Sequence, residues 1–287
     1  MRISHNITAL NTYRQYSTNT VSTNKSMEKL SSGSRINRAA DDAAGLSISE
    51  KMRSQIKGLT QGNRNAQDGV SFIQTAEGAL SEVSDMLTRM KELAVQVQNG
   101  TYSTEDQTNI GSEMKALGTA ITDIYVNTKF NGTTVFGAQT TTGGVLDDNA
   151  GTTTAATFYY GENGGQSVKV LDAKTTALNA LTAETVDADT GSGAGAKAVT
   201  AKLVEDAISE VDTTRAGYGA LQNQLEHASN NMATTKENLQ AAESRVRDVD
   251  MADEMMSYTK NNILLQASQA MLAQANQQPQ GILQLLQ

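Results

Sequence analysis

Four carboxylates crowd one short stretch, Asp248, Asp250, Asp253 and Glu254, beside Arg245 and Arg247. Such a run could hold a divalent cation or supply acid–base chemistry, but a cation needs oxygens converging from a loop with a glycine at its turn. On one helix these four spread around the axis, so pairing with the arginines, within the helix or with another chain, is the expectation. A second polar cluster, Arg35, Asn37, Asp41 and Asp42, precedes a long helical pattern. There Asp41 or Asp42 is expected to accept from the free amides of the first turn, at the positive end of the helix dipole. Gly191, Gly193 and Ala196 fit the loose form of a dinucleotide fingerprint and Lys197 hints at a phosphate loop, yet no buried strand precedes them and no βαβ unit surrounds them. A flexible linker is the expectation for that Gly-Ser-Ala composition. His5 and His227 belong to no HExxH pair and stand near no Ser and Asp in a catalytic order. With no Cys in the chain, thiol nucleophiles, disulfides and Cys-based zinc sites are excluded. Catalysis has no support in these residues, and no cofactor or metal is expected.

Other features concern shape and partners. Over 287 residues, 23 basic and 31 acidic side chains leave a net charge of −8, which disfavours nucleic acid and anionic membranes as partners. No stretch approaches the ~18 apolar residues of a membrane span, and Met1 to Leu30 lacks the apolar run and small-residue site of a cleavable signal peptide. The single Pro, four Phe and absent Trp suit long thin helices better than one large globular core.

An apolar stripe, with Asn63 its one polar member, runs from Met52 through Ile56, Leu59, Asn63, Ala66, Val70, Ile73, Ala76, Leu80, Val83, Leu87, Met90 and Ala94 to Val97. Its steps of three and four average about 3.5 residues, the heptad-like spacing of supercoiled helices. Asn99-Gly100 reads as its C-cap. A second helix is expected from Thr104, with Gln107 completing a capping box, and carries Ile110, Met114, Leu117, Ile121 and Ile124 on one face. A third stripe runs from Val204 to Val249, matching the first in length. Together they predict a mainly α fold, an elongated antiparallel rod whose long helices extend about 65 to 75 Å at 1.5 Å per residue. Between them the composition shifts to Thr, Gly, Ala and Asp. Phe158-Tyr159-Tyr160 and Val168-Lys169-Val170, around Asn163-Gly164-Gly165, read as a β-hairpin. Gly143 to Ala155 and Asp187 to Ala196 read as loops. The expected domains are terminal helices at 1-42 and 250-287, a helical rod at 43-139 and 199-249, and an insert at 140-198.

Both termini are nearly charge-free: Arg14 is the one charge from Ile3 to Asn24, and Asn261 to Gln287 holds none. Each still shows a helical apolar pattern, led by Ile3, Ile7 and Leu10 at one end and by Met256, Ile263, Ala267 and Ala270 at the other. Faces of small and amide side chains can pack against identical copies where an unpaired charge would be costly. Alone, such helices would be marginal.

The segments SSGSRINRAADDAAGLSIS (Ser31 to Ser49), NRNAQDGVSFIQTAEGAL (Asn63 to Leu80), RMKELAVQ (Arg89 to Gln96) and KFNG (Lys129 to Gly132) closely resemble the N-terminal half of bacterial flagellins. SRVRDVDMADEMMSYTKNNILLQASQAMLAQANQ (Ser244 to Gln277) is similar to the C-terminal end of that family. The resemblance implies a structural subunit that polymerises into the helical flagellar filament for swimming motility, with paired chain ends forming an inner tube and the bundle an outer one. It implies assembly contacts through a spoke at Arg35, Asn37, Asp41, Asp42, Arg245 and Arg247. It also implies export through the flagellar type III apparatus to the extracellular filament, an export chaperone on the C-terminal helix, and contacts with the filament cap and hook-filament junction proteins. Arg89, Leu93 and Glu113 match flagellin positions recognised by the vertebrate flagellin-sensing Toll-like receptor. Arg89 and Leu93, four apart, are expected on one helix face, with Glu113 reaching it from the next helix. The short insert implies a comparatively smooth filament. The competing readings are a hook-filament junction protein, a solitary coiled-coil protein, and an enzyme hidden in the insert, the last disfavoured by the lack of His and Cys there.

Overall fold

The computed structural model describes residues 6–136, 140–142, 145–147, 156–161, 165–170, 176–187 and 199–285. Helices dominate: α1 (Ile7–Ser32), α2 (Ala43–Gln98), α3 (Thr104–Asn127), α4 (Thr176–Asp187), α5 (Ala201–Arg247) and α6 (Met251–Leu285). Three two-stranded antiparallel hairpins lie between α3 and α5: β1 (Lys129–Phe130) with β2 (Thr133–Thr134), β3 (Thr140–Thr142) with β4 (Val145–Asp147), and β5 (Thr157–Tyr159) with β6 (Ser167–Lys169). The chain divides into two compact units, one of residues 1–56 with 237–287 and one of residues 57–236. The divisions fall inside α2 and α5, whereas sequence composition placed boundaries at the helix ends. No described helix is long and apolar enough to cross a membrane.

The unit of residues 57–236 carries the apolar core. Ile73, Ala76, Leu80, Val83, Leu87, Met90, Ala94 and Val97 of α2 are completely buried, as the 3.5-residue stripe requires. From α3 come Met114, Ile121 and Tyr125, and from α5 Val204, Val211, Tyr218 and Leu225. Burying each such side chain contributes about 1.5–3 kcal/mol. Lys91 pairs with Glu205 at 2.9 Å, and the Asn63 side chain donates to the Ser229 carbonyl at 3.3 Å. The paired numbers climb on one helix as they fall on the other, so α2 and α5 run antiparallel. Burial raises the Tyr125 phenol pKa, with Tyr218 and Glu210 adding to the effect.

Each helix start has a visible cause. The Asp42 carboxylate accepts from the Gly45 amide at 2.8 Å, which makes it the N-cap of α2. The Ser103 side chain accepts from the Asp106 amide while Asp106 accepts from that of Ser103, a complete capping box for α3. The helix begins at Thr104 as the sequence suggested, but its capping box is Ser103 with Asp106 rather than Thr104 with Gln107; Gln107 instead donates to the Tyr102 carbonyl. The Asp250 carboxylate accepts from the Ala252 amide at 2.9 Å at the start of α6.

The expected hairpin forms as β5–β6, with Phe158 opposite Val168; its Asn163-Gly164 turn lies outside the described residues. It sits on α2: the Asn65 amide donates to the Tyr159 carbonyl at 2.8 Å, and Phe72 meets Phe158 and Phe130 edge-on at 5.4 and 5.7 Å between ring centroids. Three elements were not expected. The β1–β2 turn uses Asn131 and Gly132, both at positive φ, as a two-residue hairpin demands. β4 occupies residues read as a loop, because Thr140–Thr142 supplies a partner strand that its own Thr-Gly composition concealed. The first amides of helix α4, at Thr176 and Ala177, donate to the Glu210 carboxylate of α5 at 3.1 and 2.8 Å. Gly191, Gly193, Ala196 and Lys197 lie outside the described residues.

Candidate assembly and recognition surfaces

In the unit of residues 1–56 and 237–287, α1 and α6 pair along a seam that mixes amide and hydroxyl side chains with Leu and Tyr. Ala9, Thr12, Tyr16, Asn19, Thr23, Ser26 and Leu30 of α1, alternating three and four apart, are half-buried or buried, with Thr20, Ser22, Glu28 and Lys29 half-buried beside them. Glu254, Tyr258, Asn261, Leu265, Ser268, Leu272 and Ala275 repeat that spacing on α6. This is a heptad seam. Hydrogen bonds fix its register: the Asn19 amide donates to Ser268 Oγ at 2.8 Å, and that of Asn6 to the Ala275 carbonyl at 2.8 Å. Low residue numbers on α1 meet high ones on α6, so the pair is antiparallel.

The terminal residues singled out in the sequence lie elsewhere. Ile7, Leu10, Met256, Ile263, Ala267 and Ala270 are all exposed, on faces directed away from the seam; Ile3 lies outside the described residues. Val21, Met27, Met251, Met255, Leu264 and Met271 are exposed too. The pair therefore mixes amides and hydroxyls with Leu30, Leu265 and Leu272 in its seam and still presents many large apolar side chains outward, more than a helix pair that stays alone in water would expose.

The segment between α1 and α2 is tied down within the chain. Gly33 ends α1 with φ +69°, a left-handed C-cap. The Arg35 amide donates to the Arg247 carbonyl at 2.6 Å, and its guanidinium to the Val246 carbonyl at 2.8 Å. The Asn37 side chain donates to Ser32 Oγ at 2.7 Å. Arg38 holds the Glu28 carboxylate through two nitrogens at 3.0 and 3.1 Å. Asp41, unlike Asp42, caps no long helix: its carboxylate accepts from the Arg38 amide at 3.1 Å, with Lys25 at 3.5 Å. The Arg38 backbone hydrogen bond foremost, and Lys25 in addition, hold the Asp41 pKa below the ordinary carboxylate value.

Arg247 pairs with Glu50 at 2.8 Å, and Arg53 with Glu50 at 3.5 Å and Glu243 at 3.1 Å; Arg245 is exposed. Lys29 reaches Glu254 at 3.7 Å. Glu28, Glu50, Arg53 and Glu243 escaped sequence reasoning. Only Glu50–Arg53, three apart on one helix, carried a local signal; the others meet through folding.

In the other unit, Arg89 stands exposed on α2, its guanidinium shared between Glu92 at 2.9 Å and Glu113 of α3 at 3.0 Å. These two carboxylates, Glu92 first, raise the Arg89 pKa. Arg89 and Glu113 are thus brought together. Leu93 is not on that open face: it is 1% exposed, inside the core with Met90 and Ala94. Four residues turn a helix by about 400°, and the remaining ~40° carries Leu93 from the rim into the interior.

The sequence profile of the bacterial flagellin N-terminal helical region matches residues 3–141, and that of the C-terminal helical region residues 201–286. The chain is 49% identical to flagellins of Halalkalibacterium halodurans and Bacillus subtilis, over the full length of both partners in each comparison. It is 43% identical to the flagellar filament 33 kDa core protein of Treponema phagedenis, again over the full length of both. Among solved structures, a putative flagellar hook-associated protein of Vibrio parahaemolyticus has a TM-score of 0.56 at 15% identity, covering 72% of this chain and all of that one, which shows likeness of fold alone. The chain belongs to the bacterial flagellin family, and it is a structural subunit of the flagellar filament that serves motility.

Proposed function

We propose that the outward apolar faces of the α1–α6 pair are the surfaces on which copies of this chain stack to build the inner part of the filament, with Ile3, Ile7, Leu10, Met256, Ile263, Ala267 and Ala270 as the packing residues. The observation that carries the reading is the set of large apolar side chains left exposed on the outer faces of the pair, Ile7, Leu10, Met256 and Ile263 each more than 60% exposed. Burying those faces against identical copies supplies hydrophobic free energy at a small cost in desolvated charge, since Arg14 is the one charge from Ile3 to Asn24 and Asn261 to Gln287 has none. Arg35, Asn37, Asp41, Asp42, Arg245 and Arg247 hold or flank the turn between α1 and α2 and set the angle at which this pair is presented to a neighbour. The C-terminal helix serves the export chaperone before assembly, and subunits leave through the flagellar type III apparatus to add beneath the filament cap, beyond the hook-filament junction proteins. Seeded growth of purified subunits, followed by electron microscopy, tests the packing surfaces: Ile263→Asp with Met256→Asp should stop elongation. Normal growth of that double variant would overturn the assignment.

A second reading rests on the exposed ion pair of α2 and α3. Arg89 and Glu113 offer a charged patch that the Toll-like receptor for flagellin would engage on the unassembled subunit. Leu93 supports it from beneath by fixing the backbone that carries Arg89.

A further inference from the structure

We propose that Met27, Met251, Met255, Met256 and Met271 form a reversible oxidation site that governs whether a free subunit can join a filament. With no cysteine and 11 methionines in the chain, the thioether is the sulfur group open to two-electron oxidants. The methionines fall into contrasting environments. Met90 and Met114 are completely buried and Met232 is 5% exposed, all in the apolar core of residues 57–236. Met256 and Met271 are 64% and 60% exposed, and Met27, Met251 and Met255 about half exposed, all on the α1–α6 pair. Exposure governs thioether reactivity, so an oxidant such as hydrogen peroxide reaches the second group first. Each event transfers one peroxide oxygen to sulfur: the thioether is oxidised to the sulfoxide, and the peroxide is reduced to water.

The consequence follows from where these side chains stand. A sulfoxide is polar and accepts hydrogen bonds, and placed on an apolar face it must lose its water when another surface covers it. The α1–α6 seam itself contains none of the five, so the pair keeps its fold while its outer face becomes unfit for packing. Once covered in a filament, the same sulfurs are shielded. The sensitive window is the free subunit, and a methionine sulfoxide reductase with a dithiol donor reopens assembly by removing the oxygen as water. This inference rests on the reading that other copies cover the outward faces.

The experiment treats full-length free subunits with a limited dose of hydrogen peroxide, maps sulfoxides by mass spectrometry, and measures elongation from filament seeds. Oxidation should appear at the five named residues before Met90 and Met114, helical content should stay unchanged, and elongation should slow at least about tenfold. Treatment with both epimer-specific sulfoxide reductases and dithiothreitol should restore it to within about twofold. A variant with all five methionines replaced by Leu should elongate and ignore peroxide; if that variant fails to assemble, recovery of the native chain on reduction decides. Normal elongation by fully oxidised subunits, or a loss that reduction leaves in place, overturns the proposal alone. Untreated subunits that do not elongate from seeds overturn the packing reading, and this proposal with it.

Discussion

Arg89 and Leu93 show how far residue spacing carries. Their separation by one turn was legible, and so was the approach of Glu113 from α3, but the edge between surface and core passes between the two residues. Arg89→Ala removes two ion pairs in which every partner is about half exposed, and solvent screens such pairs. The melting temperature should move by no more than about 2 °C, while receptor activation by free subunits should fall at least about tenfold. Unchanged activation would end the recognition reading. Leu93→Ala behaves differently, because truncating a buried leucine costs about 2–5 kcal/mol. A clear drop in melting temperature is expected, and any loss of signalling in that variant must be compared at equal folded fraction. Asp41 gives a pH-dependent counterpart. Its folded-state pKa is lowered, so its contribution to stability is present above the unfolded carboxylate pKa and is lost as pH falls through the folded value. Asp41→Asn should therefore be less stable than the native chain at neutral pH, with the two curves converging in acid; parallel curves down to the lowest pH would refute it.

At the scale of elements, local signals were read where cause and effect are neighbours. The stripes of α2 and α5 were legible because a 3.5-residue period extends over many turns, and the β5–β6 hairpin because aromatic and β-branched residues flank a glycine-rich turn. The start of α3 at Thr104 was legible but its cap was off by one residue, since Ser103 and Thr104 are both good caps and only the geometry selects the first. Helix α4 was missed because its cap, Glu210, comes from a distant part of the chain. The β1–β2 turn, by contrast, had an Asn-Gly signal in plain view at Asn131-Gly132. What seats β5–β6 is visible only in three dimensions: Gly62 and Asn65, with Gly69 and Phe72, line one side of α2. A β-carbon at Gly62 would collide with the Tyr160 carbonyl oxygen and come within 3.1 Å of Met232 Sδ. On an open helix face, Gly→Ala gains about 1 kcal/mol. Here the collision decides the sign, so Gly62→Ala should lower the melting temperature and speed amide exchange across Phe158 to Tyr160. A stabilised variant with unchanged exchange would show that the hairpin is not held there.

For the whole molecule, the question is which surfaces a chain keeps for itself and which it offers to copies. Sequence reading found the charge-free ends and their apolar patterns, but it could not tell inner from outer faces, since a helix of small, amide and scattered apolar residues has no single dominant stripe. The fold separates them: the heptad of Thr12, Asn19, Thr23 and Ser26 lies in the seam with Leu265, Ser268 and Leu272, while Ile7, Leu10, Met256, Ile263 and Met271 face out. The compact unit of residues 57–236 has its own buried core, and residues 261–287 belong to the other unit. Deleting Asn261 to Gln287 removes most of α6 and leaves α1 without a partner for Ala9 through Asn19. That helix, with few charges and no core, should then lose protection from proteases, because its seam hydrogen bonds and burial no longer offset the cost of ordering it. The truncated chain should show the thermal transition of the 57–236 unit within about 3 °C of the native value, lose protease resistance between Ile7 and Ser32, and fail to elongate seeds. If α1 stays protected without α6, the seam is not what orders it. If the truncated chain elongates seeds at the native rate, the outward face of α6 takes no part in building the filament.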